Sequence, residues 1–500
     1  MQFADQLPVL PIITPLVTAP MTLLFKPGRA PWAWTTFIAW LVFFACAAIL
    51  YRVADSGVIS YHLGNWAPPI GIEYRIDLAN ALVLTLVSGI AALVFPFSYE
   101  SVKREIDERQ FSKFYGAMLI CLTGLLGVTI TGDAFNVFVF LEISSLSTYA
   151  LVAMGARRDR RALTAAFNYL VMGTIGATFF VIGLGLLYQA TGTLNMADVH
   201  ARLAGQDNHV VEAGFTFILV GIGLKLAMFP MHLWLPNAYT YAPSAVSAFI
   251  AATATKVAVY VLIRFSFTVV GVDFDFLIRA FTYVLLPLGV LGMFIASLVA
   301  VFQDDVKRLL AYSSVAQIGY MLLGLSFVTQ EGLTASLVHV LNHGLMKGAL
   351  FMATACVCLR LGGNHLRAYE GLAKRMPLTT WAFIISGLSL VGVPGTVGFI
   401  SKWYLLEASF AAGKAWAGFL VVLSSLIAVA YVGRIVELMV LREPPKEGPC
   451  AGPVKEAPMS MVIPMWILVA ANIYFGLRTD FTAGLAEKAA AALMNMPGAQ

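Results

Sequence analysis

The sequence predicts an all-α polytopic membrane protein of about fourteen transmembrane helices, with two inverted five-helix repeats that each contain a broken helix. Three observations lead there. Of the 500 residues, 59% are hydrophobic and only 12% charged, and a mean hydropathy of +0.82 exceeds what burying a single core requires, so lipid must solvate much of the chain. Apolar stretches long enough to cross about 30 Å of hydrocarbon recur from end to end, and lipid offers their backbone groups no partner, so they form helices. Proline- or glycine-interrupted stretches fall at corresponding places in two halves.

Taken in order, an N-terminal division, 1–110, holds spans over 8–25, 32–53 and 76–97. Met1 to Pro11 has neither a basic n-region nor a small-residue cleavage site, so it reads as a first span rather than a removed signal. The first repeat, 111–270, holds 114–131, 134–154, 165–190, 213–233 and 244–269, and Pro230 kinks or opens the fourth of these. The second repeat, 271–440, holds 276–301, 308–328, 333–359, 379–401 and 415–440, with Pro394 and Gly395 breaking its fourth. The last division, 441–500, is a Pro- and Gly-rich loop followed by a span over 460–477. The polar stretches 98–113, 191–212 and 441–459 are too short to build a separate soluble domain.

Charge patterning sets the orientation. Numbered by the spans they join, the odd loops hold Lys103, Arg104, Arg109 and Lys113, then Arg157, Arg158, Arg160 and Arg161, then Lys307 and Arg308, then Arg367, Lys374 and Arg375, whereas the even loops hold few basic residues. Positive loops stay cytoplasmic, so both termini are expected on the extracytoplasmic side of a prokaryotic plasma membrane. The net charge of +5 arises from these short loops and points to orientation rather than to nucleic acid. No phosphate-cradling glycine loop and no dinucleotide fingerprint is present, so no cofactor is expected. Cys46, Cys121, Cys356, Cys358 and Cys450 lack any paired spacing for zinc or an iron-sulfur cluster and read as small apolar residues.

A charge near the bilayer centre costs several kcal/mol at least, so each one kept there is a functional candidate whose partner must be named. Glu142 lies well inside an apolar span and must be protonated, paired or facing water; its bland reading is a neutral carboxyl bonded to a neighbouring helix. Lys225 lies five residues before Pro230, and a Glu–Lys pair is a switchable proton site. Lys256 is too deep in its span to snorkel with ease. His339, His343 and Lys347 fall at i, i+4 and i+8, one helical face, a spacing that suits a proton relay. The rivals there are a satisfied buried histidine, or a metal pair for which no third acidic or thiol ligand is at hand. Lys402 ends the second broken span and echoes Lys225. Asp133, with Asn136, is expected to cap the fifth span or else to admit a cation. His232 is placed to join a proton path or to bond a freed carbonyl. Asp304, Asp305, Lys307 and Arg308 read as a charged interfacial turn.

At these residues the chain resembles the antiporter-like membrane subunits shared by NADH:quinone oxidoreductase, membrane-bound hydrogenases and the multisubunit Mrp sodium/proton antiporters. The resemblance spans nearly the whole chain and is strongest over about 110–410, in the glutamate span at Glu142, the lysine before a break at Lys225, HLWLPNAYTYAPSAVSAFIAATATK, VKRLLAYSSVAQIGYM, HVLNHGLMKGALFM and the break ending at Lys402. It implies a hydrated central axis with a Glu142–Lys225 pair and onward transfer by Lys256, His339, His343 and Lys402. Lys402 disfavours the subunit type with glutamate there, and TGDAFNVFVFLE resembles the D-type Mrp subunit. The resemblance therefore implies a secondary transporter subunit rather than an enzyme, exchanging Na+ (K+ and Li+ stay open) for protons in a lipid bilayer with other membrane subunits as partners. A proton-pumping subunit of a redox complex is the alternative.

Overall fold

The computed structural model describes residues 3–204, 208–447, 450–452 and 454–494. Its N-terminal division runs from α1 (Leu10–Met21) and α2 (Arg29–Ser56) through an antiparallel hairpin, β1 (Ile59–His62) and β2 (Glu73–Ile76), into α3 (Leu78–Glu105). The hairpin pairs Ile59 with Ile76 and His62 with Glu73, a small departure from the all-α expectation. The first repeat comprises α4 (Phe111–Ile130), α5 (Ala134–Ala153), α6 (Arg161–Thr191), short α7 (Met196–Leu203), the broken pair α8 (His209–Leu226) and α9 (Trp234–Tyr241), and α10 (Ser244–Arg264). The second comprises α11 (Asp275–Ala280) leading into α12 (Leu286–Val301), then α13 (Val306–Leu325), α14 (Gln330–Leu361), short α15 (Leu372–Arg375), the broken pair α16 (Pro377–Val391) and α17 (Val397–Ala411), and α18 (Ala415–Val440). α19 (Met459–Leu477) and α20 (Thr482–Met494) close the described chain.

Among the described residues, twelve helices are long and apolar enough to cross a membrane. The two further expected spans are α13, whose Lys307, Arg308, Ser313, Ser314 and Gln317 make it polar, and the split α16–α17. The bundle centre is α3, α4, α10 and α14, whose most apolar stretches are 78%, 83%, 94% and 83% buried, against 33% for the peripheral α18.

The repeat is written in the backbone. Asp133 caps α5 by accepting from Asn136 N–H at 2.7 Å, and Asp305 caps α13 by accepting from Arg308 N–H at 3.0 Å. Beside the first cap, Ala134 N–H donates to Leu194 O (2.8 Å) and Met196 N–H to Gly132 O (2.9 Å). Beside the second, Val306 N–H donates to Asn364 O (2.9 Å) and Leu366 N–H to Asp304 O (2.9 Å). α6 and α14 both end on a left-handed glycine, Gly192 at φ 71° and Gly362 at φ 77°, a conformation only glycine adopts without strain. Contacts between loops separate two faces. Ser244 N–H and Arg158 reach Glu105 at one face, whereas Asn195 reaches Glu73 and Arg264 reaches Asp77 at the other. Odd and even loops thus collect on opposite faces, and the Asp133 and Asp305 caps lie on different ones, which is the inversion.

Three sequence expectations are corrected. The span read over 213–233 ends at Leu226, because Ala227 adopts φ +60° and turns the chain before Pro230. The span read over 379–401 breaks at Gly392 (φ 98°) and Gly395 (φ 86°), so Lys402 lies inside the second half-helix rather than at a span's end. The last division also holds α20, which buries Ala483, Ala486, Ala489 and Ala490 and packs on α14 and α3; an alanine-rich helix has no long apolar run to announce it.

Candidate proton path

Glu142 on α5 and Lys225 on α8 meet directly. Lys225 Nζ donates to Glu142 Oε1 at 2.9 Å and to Ser145 Oγ at 2.9 Å. The lysine side chain is 8% exposed and the carboxylate 23%, on the same helix face as the exposed Phe135, Val139 and Leu146. Backbone contact between glycines sets α8 on α6. A Cβ at Gly221 would lie 2.6 Å from Gly176 O, and one at Gly183 2.6 Å from Gly214 O. Beyond the break, Trp234 Nε1 donates back to Leu224 O at 2.9 Å while its ring stacks on Tyr169 at 4.0 Å. Lys225 therefore sits at the last turn of a half-helix whose place is fixed from two sides.

The second group gathers around α14. The imidazoles of His339 and His343 stack with centroids 5.9 Å apart and planes 3° from parallel, as their i, i+4 spacing requires. His339 Nδ1 is 2.8 Å from Ser401 Oγ, next to Lys402. At the other end of the row, Lys347 Nζ donates to Leu310 O at 2.8 Å and to Ser313 Oγ. Lys256 enters from α10, fully buried, its Nζ bonded to Ala251 O and to Thr255 Oγ1 at 3.3 Å. Lys402 Nζ donates to Leu390 O (3.2 Å), Val391 O (2.7 Å) and Ser425 Oγ (2.9 Å) and lies 5.1 Å from the Tyr320 ring centroid. Tyr320 is in turn 5.8 Å from His339. Both ring nitrogens of His343 and Nε2 of His339 are buried without a protein partner.

Among the described residues, Lys256, Lys347 and Lys402 form no ion pair, in contrast to Lys225. Their partners are carbonyl and hydroxyl oxygens, which bond an ammonium and leave its charge uncompensated. Such groups can hand protons on, because no counter-ion fixes a proton at any one of them.

His232 follows the first break, stacked on Phe229 at 5.4 Å and 6.2 Å from Tyr312, with Nδ1 unpartnered. Its ring contacts run from the break after α8 to α13; among the described residues no hydrogen bond joins the two groups. Asp133 sits apart at the loop face as a helix cap, where burial pushes its carboxyl above the usual range.

Two buried charged sets were not read as such; of Asp77, Arg264, Glu105 and Lys307 the sequence singled out only Lys307, as part of a charged interfacial turn, whereas it is fully buried. Arg264 at the end of α10 donates to both oxygens of Asp77 (2.6 and 2.9 Å) and to Tyr260 Oη (2.9 Å), which donates to Thr129 O (3.0 Å). Burial, the largest influence on Asp77, pulls its carboxyl up, but the Arg264 charge and hydrogen bonds outweigh it and hold the group below the usual carboxylate range. Arg264 stands eight residues after Lys256, on nearly the same helical face, a signal that could have found it. The other set surrounds Glu105 and Lys307.

Residues 131–428 match the family model described as NADH:quinone oxidoreductase/Mrp antiporter, transmembrane. The chain belongs to that family. It is 40% identical over 492 residues to NADH-quinone oxidoreductase subunit N of Desulforudis audaxviator, covering 94% of this chain and 95% of the relative. It is 30% identical over 491 residues to the D-type subunit of the Na(+)/H(+) antiporter of Bacillus subtilis, covering 97% of each. Its fold superposes on a chain of the Mrp complex from Dietzia sp. DQ12-45-1b with a TM-score of 0.91 at 26% identity, covering 100% of this chain and 99% of that one. As an antiporter-family chain it is a multi-pass, proton-translocating membrane subunit.

Proposed function

We propose that this subunit carries protons across a prokaryotic plasma membrane through Glu142, Lys225, Lys256, His343, His339 and Lys402, with Lys347 at the branch toward α13. The observation that carries the reading is the row of buried lysines and histidines on α10, α14 and α17, none of them paired with a counter-ion, in a bundle that also holds one Glu–Lys pair that can take up or release a proton. The half-exposed face of α5 supports a hetero-oligomer. Glu142 would otherwise border lipid, at a cost of several kcal/mol, so a neighbouring membrane subunit covers it.

Two couplings fit the conduit. As the D-type member of a sodium/proton antiporter, the chain would move the proton half of the exchange; the end-to-end match to the Bacillus subtilis antiporter chain supports this reading. As a pumping subunit of a redox complex, the same row would be driven by electron transfer in partner chains; the higher identity to an NADH-quinone oxidoreductase subunit N supports that one. With few basic residues in the even loops, both termini face outward in either case.

Gentle extraction followed by mass spectrometry of the bound proteins separates the two. Small hydrophobic partners without redox proteins, together with sodium-driven proton movement in vesicles, establish the antiporter. Flavin or iron-sulfur proteins in stoichiometric amount establish the redox pump. In either complex Lys225→Ala abolishes proton movement while assembly persists; transport at the wild-type rate would overturn the whole reading.

A further inference from the structure

We propose that Glu105 and Lys307 form a proton-loading site at the Lys- and Arg-rich face, and that α13 carries the proton from there to Lys347. Glu105, the last residue of α3, is 5% exposed; Oε2 accepts from Ser244 N–H at 2.6 Å and Oε1 from Ser101 Oγ at 3.3 Å. Lys307, in the first turn of α13, is fully buried, and its Nζ donates to Ala242 O at 3.1 Å. Both side chains thus bind the same turn, Ala242 to Ser244, from two sides, and Glu105 is the strongest charge acting on Lys307. The other groups facing the lysine are Cys358 on α14, Arg158 after α5 and Asp305 ahead of α13. Arg158 lies 3.8 Å from Glu105 with 31% of its side chain exposed, which connects the set to water. Burial pushes the Asp305 carboxyl above its usual range, and its Oδ1 is taken by the helix cap. Arg104 and Arg157 are occupied by Leu359 O and Ile106 O.

A lysine whose only task was to mark orientation would reach into water from the first turn of a helix, since its four-carbon stem easily spans that depth. Lys307 is turned inward instead. Nor does the fold demand it: counting from the caps Asp133 and Asp305, the first repeat places Phe135 at the same position, where it is exposed. Between one and two turns along α13 from Lys307, Lys347 of the central row binds Leu310 O and Ser313 Oγ. Ser314 and Gln317 continue the polar stripe, and Gln317 Oε1 is buried without a protein partner. A proton from bulk water taken by the Glu105 carboxylate passes through an intervening water to the Lys307 amine, since the two groups share the turn from Ala242 to Ser244 without a hydrogen bond between them. From that ammonium it passes through water along nearly two turns of α13 to the Ser313 hydroxyl, which accepts one proton as it releases another, and so to the Lys347 amine.

This inference rests on the proton-conduction reading, and the test separates the two. The assembled complex in vesicles is compared as wild type, Lys225→Ala, Glu105→Gln and Lys307→Met, with proton transport followed as pH on the loading face is raised. Glu105→Gln keeps an acceptor for Ser244 N–H, so assembly is preserved. Expected is a loss of about tenfold for Glu105→Gln that deepens as pH rises and is partly restored in Glu105→Asp. If Lys225→Ala abolishes transport while Glu105→Gln runs at the wild-type rate, or loses the same fraction at every pH, the loading site is wrong and conduction stands. Should Lys307→Met fail to assemble, the Glu105 variants decide alone. Full transport in Lys225→Ala overturns conduction itself.

Discussion

Trp234 and Lys402 do the same structural work in the two repeats: each reaches back across its break to donate to the open carbonyl end of the preceding half-helix. Trp234 Nε1 bonds Leu224 O at 2.9 Å and Lys402 Nζ bonds Val391 O at 2.7 Å. Four carbonyls at a helix end lack partners and carry the negative end of the dipole, so an ammonium suits the place. In the first repeat a neutral indole fills it, which leaves Lys225 free to pair with Glu142.

Replacing Lys402 with Met removes both the donor to Leu390 O and Val391 O and the last ammonium of the row. The complex is expected to lose about 1–3 kcal/mol of stability from the unsatisfied carbonyls, read as a lower melting midpoint in detergent. Transport in vesicles falls at least about tenfold. Trp234→Phe, by contrast, lowers the midpoint and leaves most transport intact.

The Glu142–Lys225 pair predicts a non-additive cycle. Either Glu142→Gln or Lys225→Met strands one charge, at a cost of about 3–5 kcal/mol where the pair is desolvated. The double variant is expected to be more stable than the single Lys225→Met protein, while transport stays abolished in all three. Equal or lower stability of the double variant contradicts a direct pair.

Asp77→Asn leaves Arg264 buried against a neutral partner and is expected to destabilise the fold by about 3 kcal/mol. The pH sign follows from the depressed carboxyl of Asp77. A group held below its unfolded value, about 3.9, contributes fully above that pH and loses the contribution as pH falls through its folded value. Thermal melts should therefore steepen downward below about pH 4 in the wild type and less so in Asp77→Asn.

Gly221→Leu forces α8 away from Gly176 O, which stands 2.6 Å from where a Cβ would be. A shift of the half-helix withdraws Lys225 from Glu142, so transport falls sharply although no titratable group has changed. The destabilisation expected from overpacking is about 1–3 kcal/mol. Gly185→Ala, where nothing lies within 4 Å of the added methyl group, serves as the unaffected comparison.

Sequence reading located charges inside the bundle where one interrupts an apolar run, as at Glu142, Lys225, Lys256 and the α14 row, since hydropathy is most sensitive there. It could not tell buried from solvated charges at span ends. Asp77, Glu105, Arg264 and Lys307 occupy positions where a side chain can reach either water or the interior, and one sequence looks the same in both cases. Only the packing of distant segments shows them buried: the turn from Ala242 to Ser244 against α3 and α13 for Glu105 and Lys307, and the end of α10 against the start of α3 for Arg264 and Asp77. The breaks were located by proline and glycine, yet the first is made at Ala227, an ordinary residue forced to φ +60° by its surroundings, which no propensity announces.

The inversion of the two repeats bears on vectoriality. A scaffold that offers the same five-helix form to both water phases has no built-in sense of forward and backward. Any difference between the two approaches must come from places where the halves disagree, while the driving gradient sets the net direction. Aligned on their caps, the halves set Glu142 against Ser314 and Phe135 against Lys307, and at the breaks an indole stands where the other half has an ammonium. A handful of mismatched side chains, rather than the architecture, thus makes the approach from one water phase unlike the approach from the other.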